Sequence, residues 1–207
     1  MKRILSFVLF SFYTFPLFAQ NNVILYEATS KLEEVSDPRK NGIYINAFSV
    51  NIVSHEYEYE TDKGVITFDG DISSIGNAAF NDCEFLTSID IPNSVSYIGD
   101  SAFYGCNRLT TIVIPKGVLT IGKWAFRYCN NLNKIELGDK VSYIGDCAFD
   151  GTALVSVIIP NSVIELGDSV FYYCTKLSSV EIGNSVKKWF SKNKETNSIK
   201  SRIDILF

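Results

Sequence analysis

One period governs most of this chain. An Ile-Gly pair at Ile75-Gly76 returns at Ile98-Gly99, Ile121-Gly122 and Ile144-Gly145, and as Leu166-Gly167, at spacings of 23, 23, 23 and 22 residues. After three intervening residues each glycine is followed by phenylalanine: Phe80, Phe103, Phe126, Phe149 and Phe171. A small residue precedes each one: Ala79, Ala102, Ala125, Ala148 or Val170. A fixed period of this length is the mark of a solenoid, in which each unit is one supersecondary element stacked on the next.

Each unit continues into an alternating segment, as in Leu109, Ile112 and Ile114, or Leu132, Ile135 and Leu137, or Leu177, Val180 and Ile182. Alternation at period two predicts a strand. Pro92, Pro115 and Pro160, or Gly138 and Gly183 at the same place, end it, since proline cannot donate to a ladder and glycine tolerates a turn. The fourth unit is one residue short between Phe149 and Leu154, which puts the deletion in a turn and spares the core columns. A lone unit cannot fold: burying a large apolar side chain stabilises by about 1.5–3 kcal/mol, while fixing each residue's backbone costs roughly 1–2 kcal/mol. Stacking lets each unit cover its neighbour. The phenylalanines then form a spine and the Ile-Gly pairs a second seam, whose glycine serves a positive φ or a close backbone approach.

These columns, Ile-Gly-x-x-Ala-Phe-x-x-Cys-x-x-Leu-x-x-Ile-x-Ile-Pro-x-x-Val, resemble the repeat of the BspA-type leucine-rich repeat surface proteins of bacteria, from Ser73 to about Lys188. The resemblance implies a curved α/β solenoid with a parallel sheet on its concave side. It also implies an extracellular or cell-surface protein that binds host or bacterial partners. Five units make a short arc.

The rest of the chain reads as a leader and two caps. Met-Lys-Arg followed by an apolar run from Ile4 to Ala19 is the layout of a secretory signal peptide, with cleavage expected after Ala19. A retained anchor is the rival reading, although the run includes Pro16 and falls short of the roughly 20 residues that span a bilayer. Cleavage removes Lys2 and Arg3, taking the formal charge from −4 to −6, which argues against a nucleic-acid partner. A secreted or cell-surface product with no membrane span is expected.

Residues 20–72 are predicted to be an N-terminal cap. His55 to Glu60 and Val65 to Phe68 flank a turn at Thr61–Gly64 and predict a β-hairpin, while Glu27 to Glu34 reads as a short helix ended by Asp37-Pro38. The array itself is expected over 73–188, and a C-terminal cap over 189–207. There Trp189-Phe190 replaces the Ile-Gly pair, Ser191 to Ser198 is polar and loop-like, and Ile203 to Phe207 is apolar enough to cover the last coil. Lys187, Lys188, Lys192, Lys194, Lys200 and Arg202 read as a solvated cap in preference to a polyanion site.

The chemistry-bearing residues mostly fall on repeat columns. Cys83, Cys106, Cys129 and Cys174 share one, with Thr152 or its neighbour in the short unit, so buried thiols are expected rather than disulfides. Cys147 lies in another column, with Ala78, Ser101, Trp124 and Ser169. The single histidine, His55, has no nucleophile motif around it and reads as a surface residue, and Asp69-Gly-Asp71 reads as a turn rather than a calcium loop. No metal, no cofactor and no catalytic residue is predicted, and an enzyme is the weakest of the function classes.

What remains is the face that the strands turn outward. Alternation fixes it as Ser88 and Asp90, Thr111 and Val113, Lys134 and Glu136, Ser156 and Ile158, and Ser179 and Glu181. Val113 and Ile158 are apolar where a bare sheet more often carries polar groups, which predicts a contact patch for a protein or a surface glycan. The rival reading makes them ordinary strand formers. Tyr104, Trp124, Arg127, Tyr128, Tyr172 and Tyr173 form a second candidate surface, as residue types that dominate binding hot spots, or else pack between rungs. A protein-binding module is therefore expected, with a structural spacer lacking any single ligand as the alternative.

Overall fold

The computed structural model describes residues 21–35, 42–189 and 204–206. The expected signal peptide, the Asp37-Pro38 stop, the polar loop over 191–198 and the basic residues from Lys192 to Arg202 lie outside the described residues.

From Ser74 onward two kinds of strand alternate. Two-residue strands formed by the Ile-Gly seam are β6 (Ser74–Ile75), β8 (Tyr97–Ile98), β10 (Thr120–Ile121), β12 (Tyr143–Ile144), β14 (Glu165–Leu166) and β16 (Lys188–Trp189). They make one six-stranded sheet, parallel throughout. The longer strands of the alternating segments are β7 (Leu86–Asp90), β9 (Thr111–Val113), β11 (Lys134–Glu136), β13 (Ser156–Ile159), β15 (Ser179–Ile182) and β17 (Asp204–Leu206). Parallel pairing joins β9 to β11, β13 to β15, and β15 to β17. β16 thus straddles the expected end of the array at Lys188, and β17 adds a long strand within the segment expected to be a cap.

Among the described residues the stretch between the two strands of a unit contains no α-helix, so tight turns take the place of the helical half of an α/β repeat. Its hydrogen bonds explain why. A helix satisfies its amides internally, whereas here alternate amides turn to the next coil: Ala78, Phe80 and Asp82 donate to the carbonyls of Asp100, Ala102 and Tyr104. The amides between them, of Ala79, Asn81 and Cys83, close local turns onto Gly76, Ala78 and Phe80. This alternation requires left-handed backbone at Ala78, Ser101, Trp124, Cys147 and Ser169, whose φ values lie between 52° and 57°. Left-handed conformations of this kind cost non-glycine residues on the order of 1–3 kcal/mol and persist where surrounding bonds impose them. The seam glycines have a different role. A Cβ on Gly99 would lie 2.5 Å from the Asn77 nitrogen, so the requirement there is close approach of one coil to the next.

Inside, the phenylalanine spine stacks nearly parallel, with ring centroids 5.2, 5.1, 5.6 and 5.8 Å apart from Phe80 to Phe171. The cysteine column lies beside it with no disulfide; Cys83, Cys106, Cys129 and Cys174 are buried and Cys147 half-buried. These thiols do more than fill space. Cys106, Cys129 and Cys174 donate to the carbonyls of Phe80, Phe103 and Phe149 in the preceding coil at 3.0–3.1 Å. Thr152 keeps the column polar in the short unit, with its hydroxyl 2.9 Å from the Phe149 carbonyl and 3.2 Å from Cys174 Sγ.

The N-terminal region closes the first coil with a sheet. The hairpin pairs β4 (Ile52–Glu58) with β5 (Lys63–Phe68), as its turn signals predict. Where a helix was expected over Glu27–Glu34, the chain instead forms β1 (Val23–Ala28), which pairs antiparallel with both β5 and β7. Its alternation of buried Ile24, Tyr26 and Ala28 with Leu25 and Glu27 is a strand period, which outweighs the helix-favouring charged residues that follow. Two short strands, β2 (Glu34–Val35) and β3 (Ile43–Tyr44), complete the region. The Ala47-Phe48 pair behind them repeats the Ala-Phe theme, and Phe48 meets Phe80 edge-on at 5.8 Å, ending the stack.

Candidate binding face

All ten predicted positions lie on the outer side of the long strands. Ser88 and Ser179 are half-buried and the other eight are exposed, Val113 at 59% and Ile158 at 65%. Their strand neighbours Ile89, Ile112, Ile135, Val157 and Val180 are all buried, as period two demands. The register aligns Lys134 with Thr111 and Glu136 with Val113, and likewise Ser156 with Ser179 and Ile158 with Glu181. Two rows therefore run across the rungs, although the hydrogen-bonded ladder is in pieces. Between β7 and β9 the Thr110 amide reaches the Thr87 carbonyl at 3.4 Å. Between β11 and β13 no ladder forms, at the junction served by the shortened turn.

β1 adds residues to this face that the repeat columns did not indicate. Directly opposed residues of an antiparallel pair share a face, and the register sets Leu25 against Asp90 and Glu27 against Ser88. Val23, Leu25, Ile91, Val113 and Leu137 line a groove of about 660 Å³ together with Asp90, Glu136 and Asp139, and Lys116 lies at its side. Burial, aided by the neighbouring Glu27 carboxylate, raises the Asp90 pKa above the ordinary carboxylate range. Glu136 pairs with Lys134 through one oxygen, Oε1, at 2.7 Å, on an exposed surface where such pairs contribute little. The signal for β1 was available only as a single strand pattern without a repeat to confirm it.

The second candidate surface resolves into two parts. Arg127 lies over the Tyr128 ring at 4.5 Å and donates to its hydroxyl, while its Nε stands 2.8 Å from Oδ2 of the fully buried Asp150. That ion contact lies outside hydrogen-bond angles, and burial raises the Asp150 pKa against the opposing charge of Arg127. Arg127, Tyr128 and Tyr104 thus pack between rungs, whereas Tyr173 and Trp124 stand exposed. His55 is not a free surface residue: it is half-buried and its Nε2 lies 2.7 Å from the Tyr26 hydroxyl. Among the described residues no cluster of His, Cys, Asp and Glu has the geometry of a metal site. No helix among them is long and apolar enough to cross a membrane.

The profile of the BspA type leucine rich repeat region matches residues 50–178 and 96–202, in six copies. The chain belongs to this family. Solved structures of bacterial leucine-rich repeat proteins are similar to parts of this chain. A leucine rich cell surface protein from Faecalibacterium prausnitzii is 29% identical over 56% of this chain and 37% of its own, with a TM-score of 0.44. The leucine rich repeat protein of T. pallidum is 32% identical over 44% of this chain and 53% of its own, with a TM-score of 0.36. The pneumococcal vaccine antigen PcpA is 23% identical over 56% of this chain and 27% of its own, with a TM-score of 0.47. The BspA-type chain described here therefore aligns with between about a quarter and a half of each of these proteins. No curated protein matches it.

Proposed function

We propose that this BspA-type chain is exported and binds a protein partner through the outer face of its long strands. The observation that carries the proposal is the exposure of Val113 and Ile158 on the outer side of the long strands, with Val113 also lining the groove beside β1. Exposed apolar side chains fixed on a rigid sheet lose little conformational entropy on binding and gain from leaving water. Export rests on the layout of the first 19 residues, and N-terminal sequencing of the protein recovered from outside the producing cells should begin at Gln20. Capture from host matrix and bacterial surface extracts, with the chain as bait and a Val113→Lys/Ile158→Lys variant as control, tests the face. Both positions are exposed, so the variant should keep the wild-type thermal midpoint while losing the partner. Undiminished capture by the folded variant rejects this face, and a folded wild type that retains nothing specific favours the spacer.

A further inference from the structure

The groove beside β1 is the concave part of this face. β1 borders it through Val23 and Leu25, and the ends of the next three coils border it through Ile91, Val113 and Leu137. Its volume of about 660 Å³ lies within the roughly 300–1,000 Å³ of clefts that enclose a compact ligand, which suits a few side chains of a partner. No lining residue follows Asp139, so Ile158 and Glu181 stand outside it.

Charge selects the occupant. Asp90, Glu136 and Asp139 line the groove against the single ammonium of Lys116. Glu136 is already held by Lys134 at 2.7 Å. Asp90 is not held: among the described residues no cation pairs with it. Burial and the Glu27 carboxylate both act against its charge, and an incoming cation acts in the opposite sense. The antiparallel register sets Leu25 directly opposite Asp90 on the same face, so an uncompensated carboxylate and an aliphatic surface lie side by side. Arginine suits such a place, because its guanidinium is more weakly hydrated than an ammonium and its stem is apolar.

Resting on the binding reading above, we propose that this groove takes an arginine of the partner protein flanked by aliphatic residues, with the guanidinium against Asp90 and the aliphatic side chains against Leu25 and Val113.

Fluorescence anisotropy with a labelled Ser-Leu-Leu-Arg-Leu-Leu-Ser peptide tests this as a double-mutant cycle. Replacing the peptide's arginine by glutamine and Asp90→Asn in the protein should each weaken binding about fivefold, the fold-change for one solvent-exposed ion pair of about 1 kcal/mol. The two changes together should cost no more than either alone. Replacing the four leucines by serine should weaken binding by about tenfold or more, since the aliphatic contacts are lost. Glu181→Gln and Ile158→Lys, on the same outer face beyond the groove, should leave the peptide bound as before. Multiplying losses in the cycle, or an equal loss in Glu181→Gln, would reduce the effect to bulk charge and overturn the proposal, and a loss in Ile158→Lys would overturn the groove as its site. A peptide that fails to bind up to millimolar concentration overturns it too; if capture of a protein partner still depends on Val113 and Ile158, the binding reading survives without it.

Discussion

Truncating the middle of the phenylalanine spine should cost more than truncating its end, by an amount the stacking predicts. Phe126 is fully buried, with Phe103 at 5.1 Å on one side and Phe149 at 5.6 Å on the other, both rings nearly parallel to it. Phe171 touches only Phe149 among the aligned rings, at 5.8 Å, and retains 6% exposure. Phe-to-Ala changes in cores cost about 3–5 kcal/mol. Phe126→Ala should fall near the top of that range and Phe171→Ala below it by about one aromatic pair, roughly 0.5–1.5 kcal/mol. With a urea slope of roughly 2.5 kcal/mol/M, the midpoint should drop by about 2 M for Phe126→Ala and by about 1.5 M for Phe171→Ala. Urea unfolding followed by the fluorescence of Trp124, two residues from Phe126, reads both. Equal losses, or a loss at Phe126 below about 2 kcal/mol, would refute the view that the stacked rings are the shared core of the array.

Three other measurements follow from the packing. Because burial raises the Asp150 pKa, the folded state holds a proton that the unfolded state releases. Its stabilising contribution is complete below the unfolded carboxyl value of about 3.9 and is lost as pH rises through the folded value. The thermal midpoint of wild type relative to Asp150→Asn should therefore fall as pH rises above about 4, and a rise would contradict the assignment. Gly122→Ala places a Cβ 2.6 Å from backbone atoms of the preceding coil and should destabilise by about 1–3 kcal/mol, whereas Gly70→Ala, whose nearest contact is a Val50 methyl at 3.4 Å, should stay within about 0.5 kcal/mol in thermal or urea melts. Alkylation of the native protein, followed by mass spectrometry, should label Cys147 first and spare Cys83, Cys106, Cys129 and Cys174 until unfolding. Early labelling of Cys106 would mean that the column is not sealed.

The repeated parts of this fold were legible because repetition separates a structural residue from an incidental one. Phe80 alone is an apolar residue; with Phe103, Phe126, Phe149 and Phe171 it becomes a column. The outer face followed from the same columns by alternation. The turn strip was not legible, since Ala78, Trp124 and Cys147 adopt left-handed backbone that their side chains do not signal; the bonds that impose it run to other coils. β1 occurs once and pairs with a strand about 60 residues away, so neither period nor proximity marked it, and the groove floor at Val23 and Leu25 was missed with it. His55 looked unpartnered for the same reason: Tyr26 lies on that strand.

The one-residue shortening before β13 leaves a dislocation on one side of an otherwise regular stack. The six-stranded sheet crosses it, through β12 and β14, and the rings of Phe126 and Phe149 cross it, while the long strands do not pair there. The array is thereby riveted along the back, while in front its long strands fall into separate blocks, with β9 and β11 in one and β13, β15 and β17 in another. A partner held by both Val113 and Ile158 would span the unstitched line between β11 and β13 and act as the missing seam. Occupancy of the face would then be felt as cohesion between the blocks, and the array would respond to its partner as a single body.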